Sequence, residues 1–278
     1  MEFQVLNMSV RCRFLILFPV LLFGIYGCNG TKDVDLDLPE YKSQLVVECF
    51  LEVGSPMYMI LSESIGFQDS FATPFVAGAT VVITHHGLAD TLRPFVSDFL
   101  YLSEYTVPPD YDVEYQIEVR DTTGRVVRGS TRVMPPVRIS SMTASYNQDS
   151  AAAVTVSWPD PPGQDNYYRF ALYKGKVPVP GEVSEESPLQ FDFTLDDLIG
   201  DGKDITVGTF FDYRSGDTLI ASLYHISQSY WSYLNSLDDA ASSNGNPFAQ
   251  PGVIRSNVTG GLGCFTGYEM DRDTLILP

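Results

Sequence analysis

Histidine is the first side chain to consider for chemistry, because it acts as a general base or a zinc ligand near neutral pH. The chain has three histidines: His85 and His86, adjacent at the end of a predicted strand, and His225. Neighbouring strand residues point to opposite faces, so we expect the first two rings to face apart. No Gly-x-Ser-x-Gly nucleophile motif accompanies them. The pattern is therefore typical of surface and boundary histidines rather than of a catalytic triad or a zinc site.

Acidic residues are abundant, with 35 Asp and Glu against 17 Lys and Arg. The densest group, Asp196, Asp197, Asp201 and Asp204, lies in a predicted loop that contains glycine. Such carboxylates could bind calcium, but a solvated acidic loop is the interpretation we prefer. The sequence thus predicts no metal site, no cofactor and no catalytic residue.

Cys28 is the residue whose chemistry is best defined by its context. Arg11 and Arg13 precede an apolar run, Phe14–Phe23, and polar and acidic sequence follows the cysteine. This order is typical of a secretory signal, and the run is shorter than the roughly 20 residues that span a bilayer. Residues 25–28 resemble a bacterial lipobox, whose cysteine is acylated, with palmitate for example. We predict a signal peptide over residues 1–27 and lipid attachment at Cys28; an ordinary signal peptide or an uncleaved helix are the alternatives.

The remaining composition constrains the partners of the chain. A formal net charge of −18 argues against nucleic acid and anionic lipid surfaces. An apolar content of 44% is typical of a globular protein. In an exported protein Cys49 and Cys264 could form a disulfide, but both lie in predicted buried strands. We favour two separate core thiols and leave the bridge open.

Short runs rich in Val, Ile, Thr and Tyr, separated by turn residues, predict a mainly β protein. After an acidic tether at residues 28–43, seven strands predict a β-sandwich domain over residues 44–134. Met134 is followed by two prolines, which cannot donate hydrogen bonds to a sheet, and we place the domain boundary there.

Residues 135–278 are predicted to form a second β-sandwich domain with one helix. Its opening resembles a fibronectin type III domain, in which Trp158 on the second strand would pack beneath a tyrosine-rich third strand. Apolar residues recur at helical spacing near 228–241. A glycine-rich strand is expected near the C-terminus, around Gly260–Phe265. The predicted fold is therefore two immunoglobulin- or fibronectin-like sandwiches with one α-helix in the C-terminal part.

Several motifs resemble, in the same order, those of the Bacteroidetes lipoprotein family known as domain of unknown function 4249. They are Leu36–Tyr41, Leu45–Glu48, Val76–Val81, the Pro135-Pro136 pair and the tail Asn246–Tyr268. The resemblance implies an all-β lipoprotein of the outer membrane, anchored at the cell surface, in a family often encoded near TonB-dependent transporters. It implies no catalytic residues.

We therefore expect a protein that is not an enzyme and that docks on a TonB-dependent barrel to help capture its ligand. Loop aromatics are candidate contacts, although they could equally fold onto the sandwich: Phe67, Phe71, Phe75, Tyr101 and Tyr105. The alternatives are an adhesin or structural module without a transporter and, less favoured, a hydrolase, which would need a pocket lined by convergent polar groups.

Overall fold

The computed structural model describes residues 41–66, 75–178, 188–198, 200–243 and 252–278. Within these ranges the protein is mainly β, with sixteen strands and one α-helix. The predicted fold class is confirmed at this level. Residues 42–278 belong to one compact unit.

Most of the first seven strands alternate more and less buried side chains, as expected for a sheet with one face in the core, whereas β4 buries only Leu92. Their bounds are β1 Leu45–Glu52, β2 Pro56–Glu63, β3 Thr80–His85, β4 Leu88–Phe95, β5 Leu100–Thr106, β6 Glu114–Arg120 and β7 Val126–Met134. A single 3-10 turn, Val96–Asp98, joins β4 to β5.

The later elements include three strands, β11, β14 and β16, that the sequence patterns did not predict. The bounds are β8 Ser141–Tyr146, β9 Ala152–Trp158, β10 Tyr167–Lys174, β11 Leu189–Asp196, β12 Ile205–Gly208, β13 Thr218–Ile226, α1 Gln228–Ser243, β14 Val258–Thr259, β15 Leu262–Tyr268 and β16 Met270–Ile276. The helix predicted near 228–241 and the glycine-rich strand are confirmed.

The N-terminal strands differ from the expected sandwich, because they form one sheet that closes on itself. Its hydrogen-bonded order is β7-β15-β1-β2-β5-β4-β3-β6, and β6 pairs back with β7. The inward side chains of β1, from Leu45 to Leu51, are buried in the enclosed core. The closing strand, β15, comes from the C-terminal end of the chain and runs parallel to β1. The alternation of apolar and polar residues within a strand does not predict which distant strand it pairs with.

Glycine allows β15 to fit between β1 and β7. Gly263 has φ +114°, and a Cβ there would lie 1.9 Å from the carbonyl oxygen of Val47. A side chain at this position would therefore push β15 away from β1. Only glycine tolerates both this backbone conformation and this close approach.

The second half contains two facing sheets that share one core. Three strands are ordered β12-β9-β8 and four are ordered β11-β10-β13-β16. Trp158 is fully buried, stacks on Phe170 at 5.8 Å and meets Tyr168 edge-on. The predicted packing of Trp158 beneath the third strand, β10, is thus confirmed.

The two halves are interlocked by the chain between β13 and β16, which contains α1, β14 and β15. The helix begins after Ser227, whose hydroxyl accepts a hydrogen bond from Tyr230 N. Tyr230 and Tyr233 are buried, and Tyr233 donates a hydrogen bond to Glu48 on β1 at 3.0 Å. One segment therefore supplies a strand to the closed sheet and a helix that packs on both β1 and β10.

Candidate functional site

The predicted lipid-attachment residue, Cys28, lies outside the described residues, as do the signal peptide at 1–27 and most of the tether. The described part of the chain begins at Tyr41, shortly before β1. Within it, no α-helix has both the length and the apolar character needed to cross a bilayer. The chemistry proposed for Cys28 is thus read from the sequence alone.

The two adjacent histidines are arranged differently from the prediction. Their Nδ1 atoms lie 3.4 Å apart, and the rings meet edge-on. The prediction that they face apart was wrong because β3 ends at His85 and His86 has φ +50°, which breaks the strand alternation. His86 Nε2 lies 3.1 Å from Asp110. Burial, and to a smaller extent the neighbouring His86, lowers the pKa of His85. The lowered pKa favours the neutral form of His85.

Three carboxylates converge where two loops of the sandwich meet. In the described ranges, Asp160, Asp197 and Asp201 are the one group of three potential metal ligands whose donor atoms lie within 4.8 Å of one another. Two of these belong to the predicted acidic loop, whereas Asp196 and Asp204 stand outside the group. Asp160 was not predicted as part of this group, because it lies in the Pro159–Gly163 turn, far from the acidic loop along the chain.

Hydrogen bonds account for this acidic cluster. Asp160 accepts from the Tyr168 hydroxyl at 2.6 Å and from Gly202 N at 2.9 Å. Asp197 accepts from Asn166 N, and Asp201 accepts from Gly163 N. These donors fix the two loops against each other, and each of the three carboxylates accepts at least one of them. The three aspartates therefore connect the turn that contains Asp160 to the loop that contains Asp197 and Asp201.

The two cysteines are buried and free, as the sequence analysis favoured. Cys49 is opposite Phe265 in the β1–β15 ladder, and Cys264 is opposite Glu48. Cys49 faces the core of the closed sheet, while Cys264 faces α1. Burial raises the pKa of both thiols. They are therefore inert core residues on opposite faces of the sheet.

The candidate loop aromatics lie in varied surroundings. Phe67 and Phe71 lie outside the described residues. Tyr101 is fully buried and donates a hydrogen bond to Val76 O at 2.6 Å. This agrees with the alternative that it folds onto the sheet, although Tyr101 lies in β5 and not in a loop. Phe75 and Tyr105 are half-buried. The pleat explains its burial, since Tyr101 occupies an inward position of β5.

Two other phenylalanines are the most exposed of the described aromatics in this region. Phe95 is 50% exposed and Phe99 is 62% exposed, on either side of the Val96–Asp98 turn. The sequence signal available was the Ser97-Asp98 pair between these two phenylalanines, because Ser and Asp favour turns.

A shallow polar groove of about 520 Å³ lies on the outside of the closed sheet. Hydroxyl, amide and charged groups line it: Thr84, Gln116, Glu118, Arg128, Ser130 and Asn257. Arg128 forms an ion pair with Glu118 at 2.7 Å. The Asn257 side chain donates a hydrogen bond to Phe265 O and accepts one from Phe265 N. The charged groups of this groove, Arg128 and Glu118, therefore already neutralise each other.

Comparisons with known proteins connect the chain to one family. A family model described as "Domain of unknown function (DUF4249)" matches residues 31–274. None of the curated proteins matches the chain.

Solved structures give only distant likenesses. A chain titled "Cytokine receptor complex - Crystal form 1A" is 14% identical, with 84% of this chain and 96% of that one covered and a TM-score of 0.25. The chicken CNTN1 FN1-FN3 domains are 8% identical, with 66% and 60% covered and a TM-score of 0.27. Scores this low support no conclusion about function or fold.

Proposed function

Because this chain belongs to the DUF4249 family, whose model matches residues 31–274, we propose that it is a lipid-anchored accessory protein of the outer membrane. In this role it binds rather than catalyses, and it docks on a TonB-dependent transporter at the cell surface. The observation that carries the proposal is Cys28, which follows a basic and apolar leader and precedes an acidic tether. An acylated cysteine there would hold the β-rich body beside the membrane.

The fold supports a binding role in a second way. The strand order of the second half, three strands facing four over the buried Trp158, supports assigning it as a fibronectin type III-like module. Sandwiches of this type present loops at both ends, where partners are commonly bound. The closed sheet would then be the second rigid body of the molecule, joined to the module through β15.

Metabolic labelling tests the anchor. Cells that express the full chain are grown with a fatty-acid probe, and labelling is compared between wild type, Cys28→Ala and Cys12→Ala. We expect Cys28→Ala to lose the label, because the acylated sulfur is gone. Cys12→Ala is the matched control, since it also removes a cysteine from the N-terminal segment and should keep the label. Equal labelling of wild type and Cys28→Ala would refute the anchor.

Extraction in mild detergent tests the partner. A tagged full-length chain should bring down a TonB-dependent barrel that mass spectrometry identifies. An adhesin or structural module would be recovered without one.

A further inference from the structure

The tip of the β3–β4 hairpin is a two-residue turn that contains a histidine. His85 is opposite Leu88 in the ladder, so His86 and Gly87 form the turn. Both have positive φ, +50° and +74°. A turn of this type prefers Asn-Gly or Asp-Gly, because Asn and Asp tolerate positive φ with little strain. A histidine at the first position is therefore not the residue that the turn itself favours.

The turn brings two imidazole nitrogens together. His85 Nδ1 and His86 Nδ1 lie 3.4 Å apart, and the two rings are nearly perpendicular. Two nitrogen ligands of one tetrahedral zinc ion, each roughly 2.1 Å from the metal, lie about 3.4 Å from each other. The spacing is therefore that of two nitrogens that bind the same metal ion.

A hydrogen bond leaves His86 Nδ1 free to bind a metal. His86 Nε2 lies 3.1 Å from Asp110 Oδ2, and an ionised carboxylate only accepts hydrogen bonds. In the neutral ring the proton is therefore on Nε2, and Nδ1 carries a lone pair. Histidines that bind metals commonly donate their other ring N–H to a carboxylate in this way. Asp110 thus holds the His86 ring in the tautomer that binds a metal through Nδ1.

His85 is held in place by two tyrosine rings. It is 3% exposed, and its ring centre lies 4.3 Å from that of Tyr105 and 5.2 Å from that of Tyr115. Burial lowers the pKa of His85, so its ring is neutral at neutral pH, as metal binding requires. In contrast, 40% of the His86 side chain is exposed, so an ion can reach the pair from solvent.

From this geometry we infer that His85 and His86 bind a divalent transition-metal ion through their two Nδ1 atoms. Zn²⁺ and Cu²⁺ prefer imidazole ligands, whereas Ca²⁺ and Mg²⁺ prefer carboxylate and carbonyl oxygens. When the ion binds, the proton between the two nitrogens moves from Nδ1 of His85 to Nε2 of the same ring, so both rings stay neutral. The remaining positions on the metal are left for water or for a donor atom of a bound molecule.

The structure removes the reason for which the sequence predicted no metal site here. That prediction depended on two rings that face apart, as on a regular strand, and the positive φ of His86 ends the strand geometry. The acidic cluster of Asp160, Asp197 and Asp201 offers only oxygen atoms, and each carboxylate already accepts a hydrogen bond. The histidine pair therefore suits Zn²⁺ and Cu²⁺ better. This inference goes beyond the proposed function and does not depend on it.

Isothermal titration calorimetry with Zn²⁺ tests the site. The full chain is purified in mild detergent with a tag that contains no histidine, and a chelator removes bound metal. His86→Asn is the main variant, because asparagine is favoured in this turn and lacks the imidazole. Asp201→Asn is the matched control, since it removes one carboxylate of the acidic cluster. Circular dichroism and thermal unfolding check that all three proteins fold.

We expect wild type to bind one Zn²⁺ ion, His86→Asn to bind it about tenfold more weakly or less still, and Asp201→Asn to bind it as wild type does. Ca²⁺ should not compete with Zn²⁺ for this site. Absence of Zn²⁺ binding by folded wild type, equal binding by His86→Asn, or loss of binding in Asp201→Asn alone would overturn the inference.

Two substitutions test the positioning role of Asp110. Asp110→Asn can still accept a hydrogen bond from Nε2 of His86, whereas Asp110→Ala cannot. We expect Asp110→Ala to bind Zn²⁺ about tenfold more weakly than wild type, and Asp110→Asn to recover most of that loss. Equal affinity of the two variants would overturn the role given to Asp110.

Cu²⁺ in place of Zn²⁺ identifies the ligand atoms. The electron paramagnetic resonance spectrum of wild type with Cu²⁺ should show coupling to two imidazole nitrogens, and His86→Asn should lose one of them. A spectrum with oxygen ligands alone, or one that His86→Asn leaves unchanged, would overturn the inference.

Discussion

Gly263 is the residue on which the closed sheet depends most directly. Its φ of +114° and the 1.9 Å between a built Cβ and Val47 O leave no room for a side chain. A side chain at residue 263 would either displace β15 from β1 or strain the backbone of β15. The first option opens the core around Cys49 and Leu51, which are both fully buried.

Gly263→Ala should therefore lower the free energy of unfolding by about 3 kcal/mol in urea titration. Gly208→Ala is the matched control, because nothing lies within 4 Å of its built Cβ on β12, and it should change stability by less than about 1 kcal/mol. An equal effect at the two positions would contradict the role given to Gly263.

Among single residues, the sequence identified what depends on local context. Trp158 and the buried free cysteines were predicted correctly, because burial follows from apolar neighbours on a strand. Asp160 was missed, and Tyr101 was misplaced. Both depend on which residues the fold brings together, and no spacing along the chain reports that.

At the scale of elements, the β6–β7 hairpin loop is fixed by one carboxylate. Burial opposes ionisation of Asp121, but hydrogen bonds from Thr123 and Arg125 outweigh it and lower the pKa to about 2. The loop therefore favours the ionised form. Glu63 on β2 completes the ion pair with Arg125.

A carboxyl with a lowered folded pKa stabilises the fold above its unfolded pKa, near 3.8, and this contribution is lost as the pH falls toward 2. Asp121→Asn should thus be less stable than wild type at neutral pH, and the difference should shrink across that window. Urea titrations at a series of pH values measure it. A difference that stays constant down to pH 2 would show that the ionised carboxylate is not the cause.

The positions of helices and strands were easier to predict from the sequence than the pairing of the strands. The helix was recognised because apolar residues recur at its period, and most strands because of their alternation. β11 was missed because it follows a polar, proline-rich stretch. β16 was missed because three consecutive charged residues, Asp271 to Asp273, interrupt its apolar pattern.

For the whole molecule, the main finding is that the two halves share strands. β7 ends at Met134, next to the boundary that the prolines predicted, yet β15 returns from the C-terminal end to pair with β1 along seven residues. Without β15, the edges of β1 and β7 would be unpaired and the core they enclose would be open.

A fragment of residues 44–134 should therefore fail to fold alone. We expect aggregation in sedimentation velocity and no cooperative unfolding transition, whereas residues 44–278 should be monomeric in the same buffer and unfold cooperatively. A monomeric fragment with a cooperative transition would show that β15 is dispensable.

We propose that this β-rich body works at a membrane, held there by Cys28 and docked on a barrel. The most direct measurement is quantitative mass spectrometry of the complex that the tagged, full-length chain brings out of detergent-solubilised outer membranes. We predict one TonB-dependent transporter in near-equal amount to the chain itself. Recovery of the lipidated chain with no barrel protein would contradict the claim.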